Sequence, residues 1–349
     1  MQLTNHPDLL CYYFKPKQPI PLVIEPHDKI DFSQTIQFIK QNKDLFLNAL
    51  AKEGALLLRK FPITNDLEKK EILNALGVKL EKKYPFGISP RKGREEAVFN
   101  STEIPGPFPL SAHTEMSYLP FRPSIIAFHC ILAPEIYGET PLFDMRTVFN
   151  QLSEKAKHCL QYNKVHYWHR YPKTSSILSA NIQLTWPSIF QTTDKKIVSN
   201  TLDEHGFSHH WERNDTLEYL TKTPAIVTHP ITQQRCLNLL VIHPYATYKA
   251  FRQLHMRQNF FMHYGLLIST LLFGILKKPA TSATLGEQYK LSFSLAKEIS
   301  DLSWQHASLF SWQTNDLLLV DNISVAHGRM NVVGPRTITV SFGNRYYTE

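Results

Sequence analysis

Apolar and polar positions alternate along this chain in short blocks. From Asp31 to Gly54, the apolar residues Phe32, Ile36, Ile39, Leu45, Phe46 and Leu50 recur near helical spacing, which predicts a helix capped by Asp31 or Ser33 and stopped by Gly54. The run Ala55-Leu56-Leu57-Leu58-Arg59 that follows is bounded by turn residues and reads as a buried strand. Asp66 to Leu76 reads as helix, and Tyr84 to Arg91, with its Pro and Gly residues, as loop. Val98 to Thr102 reads as a short strand. It feeds a proline-stiffened loop, Ile104-Pro105-Gly106-Pro107-Phe108-Pro109, in which less entropy remains to be lost.

Further along, Ser124 to Leu132 has strand character, Tyr137 to Asp144 reads as a turn into another strand, and Met145 to Leu160 as a helix. Strand signals return at Val165 to Arg170, Ala225 to Thr228, Arg235 to Val241, Leu317 to Val320 and Thr337 to Phe342. Many short strands with scattered helices predict a mainly β, α+β fold: an antiparallel sandwich core with helical decoration. One segment breaks the pattern. Phe260 to Leu276 is apolar almost throughout and flanked by Arg257 and by Lys277-Lys278. A membrane span needs about 20 such residues, and two glycines and His263 interrupt this run. A buried or lid-forming helix is expected there, with a membrane or hydrophobic-partner contact as the alternative.

Composition narrows the class. A chain of 349 residues with 43% hydrophobic and 19% charged residues is globular and buries a large core. The net charge of +8 and pI near 9.1 permit an attraction to anions, whether nucleic acid, an acidic membrane face or a small carboxylate. The Lys and Arg residues are dispersed, however, with no long basic tract, which argues against a nucleic-acid footprint. Cys11, Cys130, Cys159 and Cys236 show no C-x-x-C spacing, so no zinc ribbon or thioredoxin-like motif is indicated. The start, Met1-Gln2-Leu3-Thr4, has no basic region leading into an apolar core, and a reducing, cytoplasmic setting is expected.

The candidate chemistry lies in Ser111-Ala112-His113-Thr114-Glu115-Met116-Ser117-Tyr118 and, far downstream, in Asp321 through His327-Gly328-Arg329. A His and a carboxylate two positions apart with a distant second His have the form of a two-histidine, one-carboxylate metal site, which iron commonly occupies. On an extended segment, His113 and Glu115 would point to the same side. With 16 His and 30 acidic residues in the chain, such a pair also arises by chance, as at His210-Trp211-Glu212. The His205-to-His210 cluster lacks further spaced ligands and is expected to be exposed loop.

Several separated stretches nonetheless agree with one family. Gly54 through Pro62, Ser89-Pro90-Arg91, Asn100 through Pro105, His113 through Tyr118, Gly138-Glu139-Thr140-Pro141, and Val320 through Gly334-Pro335-Arg336 resemble the taurine dioxygenase and clavaminate synthase superfamily of 2-oxoglutarate-dependent, non-haem iron oxygenases. They look closest to the branch found with nonribosomal-peptide biosynthesis. Cys159 to Ser311 matches loosely.

The resemblance implies a double-stranded β-helix, or jelly roll, with helices packed around it. One oxygenase domain would span 1–349, with a helix-strand portion to about residue 100 and a core of about 101–160 and 225–349. It implies Fe(II), 2-oxoglutarate and O2 as cofactor and co-substrates. It assigns the metal to His113, Glu115 and His327, the distal carboxylate of 2-oxoglutarate to Arg336, and a further hydrogen bond to Thr140. Arg offers a planar fork for a carboxylate, and a Thr hydroxyl can donate to one. Arg329, two residues after His327, competes with Arg336 for that role. Relatives that halogenate lack the carboxylate ligand, so Glu115 implies hydroxylation or a related oxidation. Arg91, Ser101, Tyr118 and Asn238 are the candidates for substrate contact. The expected substrate is an amino acid or a small metabolite derived from one, free or tethered to a carrier protein. Two other readings are a zinc hydrolase using the same ligands, which would lack an H-E-x-x-H helix, and a binding protein that has lost turnover.

Overall fold

Ala55–Leu58 and Leu317–Asp321, buried at every position, pair antiparallel near the centre of an eight-stranded sheet. Its order is Leu9–Tyr12, Leu22–Pro26, Ala55–Leu58, Leu317–Asp321, Phe121–Leu132, Thr337–Tyr347, Val98–Asn100 and Gly93–Glu95. Leu22–Pro26 runs parallel to Ala55–Leu58, and the other pairings in the sheet are antiparallel. These strands are apolar without alternation because both faces are covered. Leu56, Leu58, Leu317 and Leu319 face Ile39, Phe46, Leu50 and Ile72 of three helices, Phe32–Gln41, Lys43–Glu53 and Asp66–Ala75. Their neighbours Leu57, Leu318 and Val320 face the other way, toward Phe128, Leu142 and Val325.

That second face meets a three-stranded antiparallel sheet of Leu110–His113, Val325–Arg329 and Leu142–Asp144. The rings of Phe128 and His327, one from each sheet, lie 5.0 Å apart across the interface. The two sheets face one another as in a jelly roll, without closing into a barrel. The chain is described in a computed structural model for residues 2–348 apart from 16–18, 85, 89–90, 92, 102–103, 105, 175–183, 255–263, 266–267, 269–279 and 288. The helix expected within 260–276 therefore falls almost wholly outside the described residues. Among the described residues, no helix is long and apolar enough to cross a membrane.

Two expected helices are each split. The 31–54 helix divides into Phe32–Gln41 and Lys43–Glu53, because Asn42 leaves helical geometry and its side-chain amide donates to the Phe38 carbonyl at 3.0 Å. The 145–160 helix divides into Met145–Gln151 and Glu154–Gln161, where Ser153 caps the second piece by accepting from Ala156 N. The strand expected over 235–241 ends at Leu237, and the strand expected from Ser124 begins earlier, at Phe121. Gly54 ends its helix at φ +89, where a Cβ would sit 2.5 Å from Val325. No L side chain fits there without displacing the second sheet.

The loosely matching region contributes a five-stranded antiparallel sheet, in the order His209–Trp211, Leu217–Pro224, Lys164–Tyr171, Thr281–Leu285 and Tyr289–Lys290. Its Thr221 and Thr223 hydroxyls donate to the Tyr118 and Ser117 carbonyls at 2.5 and 3.2 Å, bracing the turn that follows Glu115. Arg59 closes the other side of the core through a two-pronged bond to Asp316 at 2.9 and 2.7 Å, with both side chains almost fully buried. Losing either partner would strand a buried charge, at a cost of about 3–5 kcal/mol.

Candidate metal centre

His113 and His327 are direct cross-strand partners in the three-stranded sheet, which brings their rings to 4.3 Å between centroids. Gly328 permits the close approach: a Cβ there would fall 2.6 Å from the Leu110 carbonyl and 3.3 Å from Pro141. Glu115 arrives differently from the extended geometry expected of it. The strand ends at His113, and Glu115 sits in the turn beyond, where Met116 adopts φ +58. Asn322 pins that turn from both directions, accepting from Glu115 N at 2.7 Å and donating to Glu115 O at 3.0 Å. Ligand atoms of His113, Glu115 and His327 all lie within 4.8 Å of one another.

The donor set fits a divalent ion. Nδ1 of His113 lies 2.9 Å from the Ser111 carbonyl, so it carries the proton and Nε2 keeps the lone pair a metal needs. Burial lowers the pKa of both imidazoles. Glu115 partly offsets this at His113, whereas at His327, shifted further, the His113 ring and Arg91 add to it. Neutral imidazole is the ligating form. Nδ1 of His327 is buried with no hydrogen-bond partner among the described residues, an unmet polar atom in the site. The Glu115 carboxylate is held by Tyr84 and, at 2.5 Å, by Arg91. Among the described residues, His205, His209 and His210 form no such group, and Glu212 is engaged by Arg170.

These histidines make a pH prediction for protein stripped of metal by a chelator. His169, buried in the Lys164–Tyr171 strand, is pushed down to about 3 by burial, and His113 and His327 also lie below 6.5. Below pH 6.5 the unfolded chain takes up protons that the folded chain refuses. Stability is therefore full above pH 6.5 and falls as pH drops. Thermal unfolding of the chelated protein from pH 7.5 to 5.0 should show a steady decline in Tm; a flat profile would contradict the neutral, buried assignment.

A cleft of about 320 Å³, counted to its open mouth, is lined by His113 and His327 together with Arg91, Ser101, Thr140, Arg329 and Arg336. Three guanidiniums line it, and of these Arg91 is paired with Glu115. Arg329 spends its Nη atoms on the Ile104 and Phe108 carbonyls, each at 2.7 Å, tying down the proline-rich loop. Arg336 is different. Its Nη2 lies 3.5 Å from the Thr140 hydroxyl and its Nε is buried without a partner. Burial, and then repulsion from Arg329, pull it down to about 10, so it stays charged at neutral pH, with no ion pair to a carboxylate among the described residues. Thr140 also accepts from Trp312 Nε1 at 3.2 Å, which leaves its own proton free to donate.

The substrate candidates separate. Ser101 lines the cleft and also a larger polar neighbour of about 890 Å³ that shares Arg329 and Arg336. Arg91 reaches the cleft but is committed to Glu115 and the Ser101 carbonyl. Tyr118 is buried and bonds the Phe86 carbonyl and Ile88 N; Asn238 is buried and bonds Arg122 and the Pro224 carbonyl. Neither lines the cleft. Sequence reasoning missed Tyr84, Trp312 and Asn322. Only Asn322 left a signal, as part of the Val320-Asp321-Asn322 stretch.

Comparison with known proteins agrees with this geometry. Residues 16–341 match the family described as taurine catabolism dioxygenase TauD, TfdA family. The chain is 25% identical over 301 residues to the dapdiamide synthesis protein DdaC of Enterobacter agglomerans, covering 85% of this chain and 84% of that one. It is 23% identical over 333 residues to a clavaminate synthase-like protein of Arabidopsis thaliana, covering 93% of each. In fold it is similar to AAD-2 in complex with Mn(II) and N-oxalylglycine, with TM-score 0.53, 11% identity, and 98% and 99% of the two chains covered. It is likewise similar to PvcB, an Fe, alpha-ketoglutarate dependent oxygenase from an isonitrile synthetic pathway, with TM-score 0.50, 14% identity, and 93% and 85% covered. A match running through nearly the whole chain, over a gathered His-Glu-His group, places it in the TauD/TfdA family, and the protein is a 2-oxoglutarate-dependent, non-haem iron dioxygenase that uses Fe(II), 2-oxoglutarate and O2.

Proposed function

We propose that the protein oxidises, and in the simplest outcome hydroxylates, an amino acid or a small amino-acid-derived metabolite, converting 2-oxoglutarate and dioxygen to succinate and carbon dioxide. The observation that carries this reading is the gathered His113, Glu115 and His327 group beside a cleft that both histidines share with the buried guanidinium of Arg336. When bound, ferrous iron supplies the open positions at which 2-oxoglutarate and dioxygen react. His113 and His327 ligate through neutral rings, and Glu115 contributes the charge. Arg336 takes the distal carboxylate of 2-oxoglutarate with its planar fork, and Thr140 donates to the same group. Phe128 and Leu110 provide apolar wall, limiting water around the reacting centre.

The substrate class rests on the relatives' names: one relative serves dapdiamide synthesis, and a structural neighbour belongs to an isonitrile pathway. We place the substrate along the Ser101 wall, in a single domain whose unpaired cysteines suit a cytoplasmic setting. A zinc hydrolase or an inert binder is set aside by family membership. The test is succinate formation across a panel of free amino acids and of the same amino acids loaded on a carrier protein. Stimulation several-fold above the uncoupled rate by a free amino acid is expected. Stimulation only by the loaded forms would assign a tethered substrate, and none in either panel would refute the amino-acid reading.

A further inference from the structure

Arg91 has a side chain only 4% exposed, and it is spent on a group that the chemistry needs. Its Nη2 meets Glu115 Oε2 at 2.5 Å while Nη1 donates to the Ser101 carbonyl. The guanidinium lies 5.2 Å from the Tyr84 ring centroid and 5.4 Å from that of Phe342, so it is held against two aromatic faces. The Tyr84 hydroxyl donates to the other carboxylate oxygen, Oε1. Each oxygen of Glu115 thus has a donor of its own, and the backbone beneath is fixed by Asn322. A simple buried ion pair would not need the second donor.

We propose that Arg91, with Tyr84, is a positioning residue that fixes the orientation in which the Glu115 carboxylate meets the metal. This rests on the metal reading given above. Each oxygen keeps a second lone pair for a metal, while turning the carboxylate away would displace a charged or a phenolic donor, and buried donors of that kind are costly to leave unmet. The bond to Ser101 also ties this carboxylate to the cleft wall.

Cobalt(II) tests the proposal without turnover. The full-length protein, stripped by chelator, is titrated with Co(II) while its visible d–d bands are recorded, whose intensity reports coordination number. Arg91→Met should weaken Co(II) binding about ten- to a hundredfold, the usual effect of losing a partner behind a ligand, and should alter the bands. Arg91→Lys should recover part of the affinity, since it keeps the charge and loses the fork. Tyr84→Phe should move both readouts in the same direction by less. A residue of merely structural importance would lower Tm and leave the affinity and bands as in wild type. Wild-type or tighter Co(II) binding by Arg91→Met with unchanged bands overturns the proposal, and if that variant does not fold, unchanged bands in Tyr84→Phe overturn it instead. A wild-type protein that takes up no Co(II) is a distinct outcome, which removes the metal reading and this inference with it.

Discussion

Replacing His327 with alanine is expected to bring succinate formation to background and to remove most Fe(II) affinity. The ring supplies one of three donors, the other two come from the Leu110–His113 strand and the turn after it, and among the described residues no fourth His, Cys or carboxylate joins the group. His327 is 4% exposed and packed between His113 and Phe128, so the truncation also leaves a small void. A far-UV circular dichroism spectrum matching wild type, measured on chelated protein, would identify the loss as a metal effect. His113→Ala should behave in the same way. Full turnover in either variant would refute the ligand assignment.

The second large effect is expected at Arg336. Truncating one partner of a buried, hydrogen-bonded charge pair costs about 2–5 kcal/mol, which is about 30- to 4000-fold in Kd. Arg336→Ala should raise the Kd of 2-oxoglutarate by that factor and leave Co(II) binding in the absence of 2-oxoglutarate near wild type. Arg329→Ala should act otherwise. Its guanidinium holds the Ile104 and Phe108 carbonyls, so its loss should loosen the proline-rich loop and lower Tm. Calorimetric titration with 2-oxoglutarate checks both. Equal losses of affinity in the two variants would contradict the choice of Arg336.

The order of elements along the chain was legible where burial was complete or periodic. Ala55 to Leu58 announced a buried strand by its unbroken apolar run, and the structure pairs it with Leu317–Asp321 near the centre of the large sheet. The helix breaks at Asn42 and Ser153 were missed because they depend on single polar side chains competing with the backbone ladder, a local effect that apolar spacing does not register. The metal group was legible as residue types, and its members do come together. How Glu115 gets there was not legible. An extended His-x-Glu was the natural reading, and the turn is held by contacts far off in sequence, among them Asn322, 207 positions away. Arg91 shows the same limit. Its charge made it a candidate for a substrate carboxylate, while in the fold the carboxylate it meets is Glu115.

The most direct test of the metal assignment is a visible spectrum taken without oxygen. Fe(II) and then 2-oxoglutarate are added to chelator-stripped protein under nitrogen. A weak charge-transfer band is expected that saturates with stoichiometric iron, needs 2-oxoglutarate, and is absent in His327→Ala. No band in wild type, or an undiminished band in His327→Ala, would contradict the assignment.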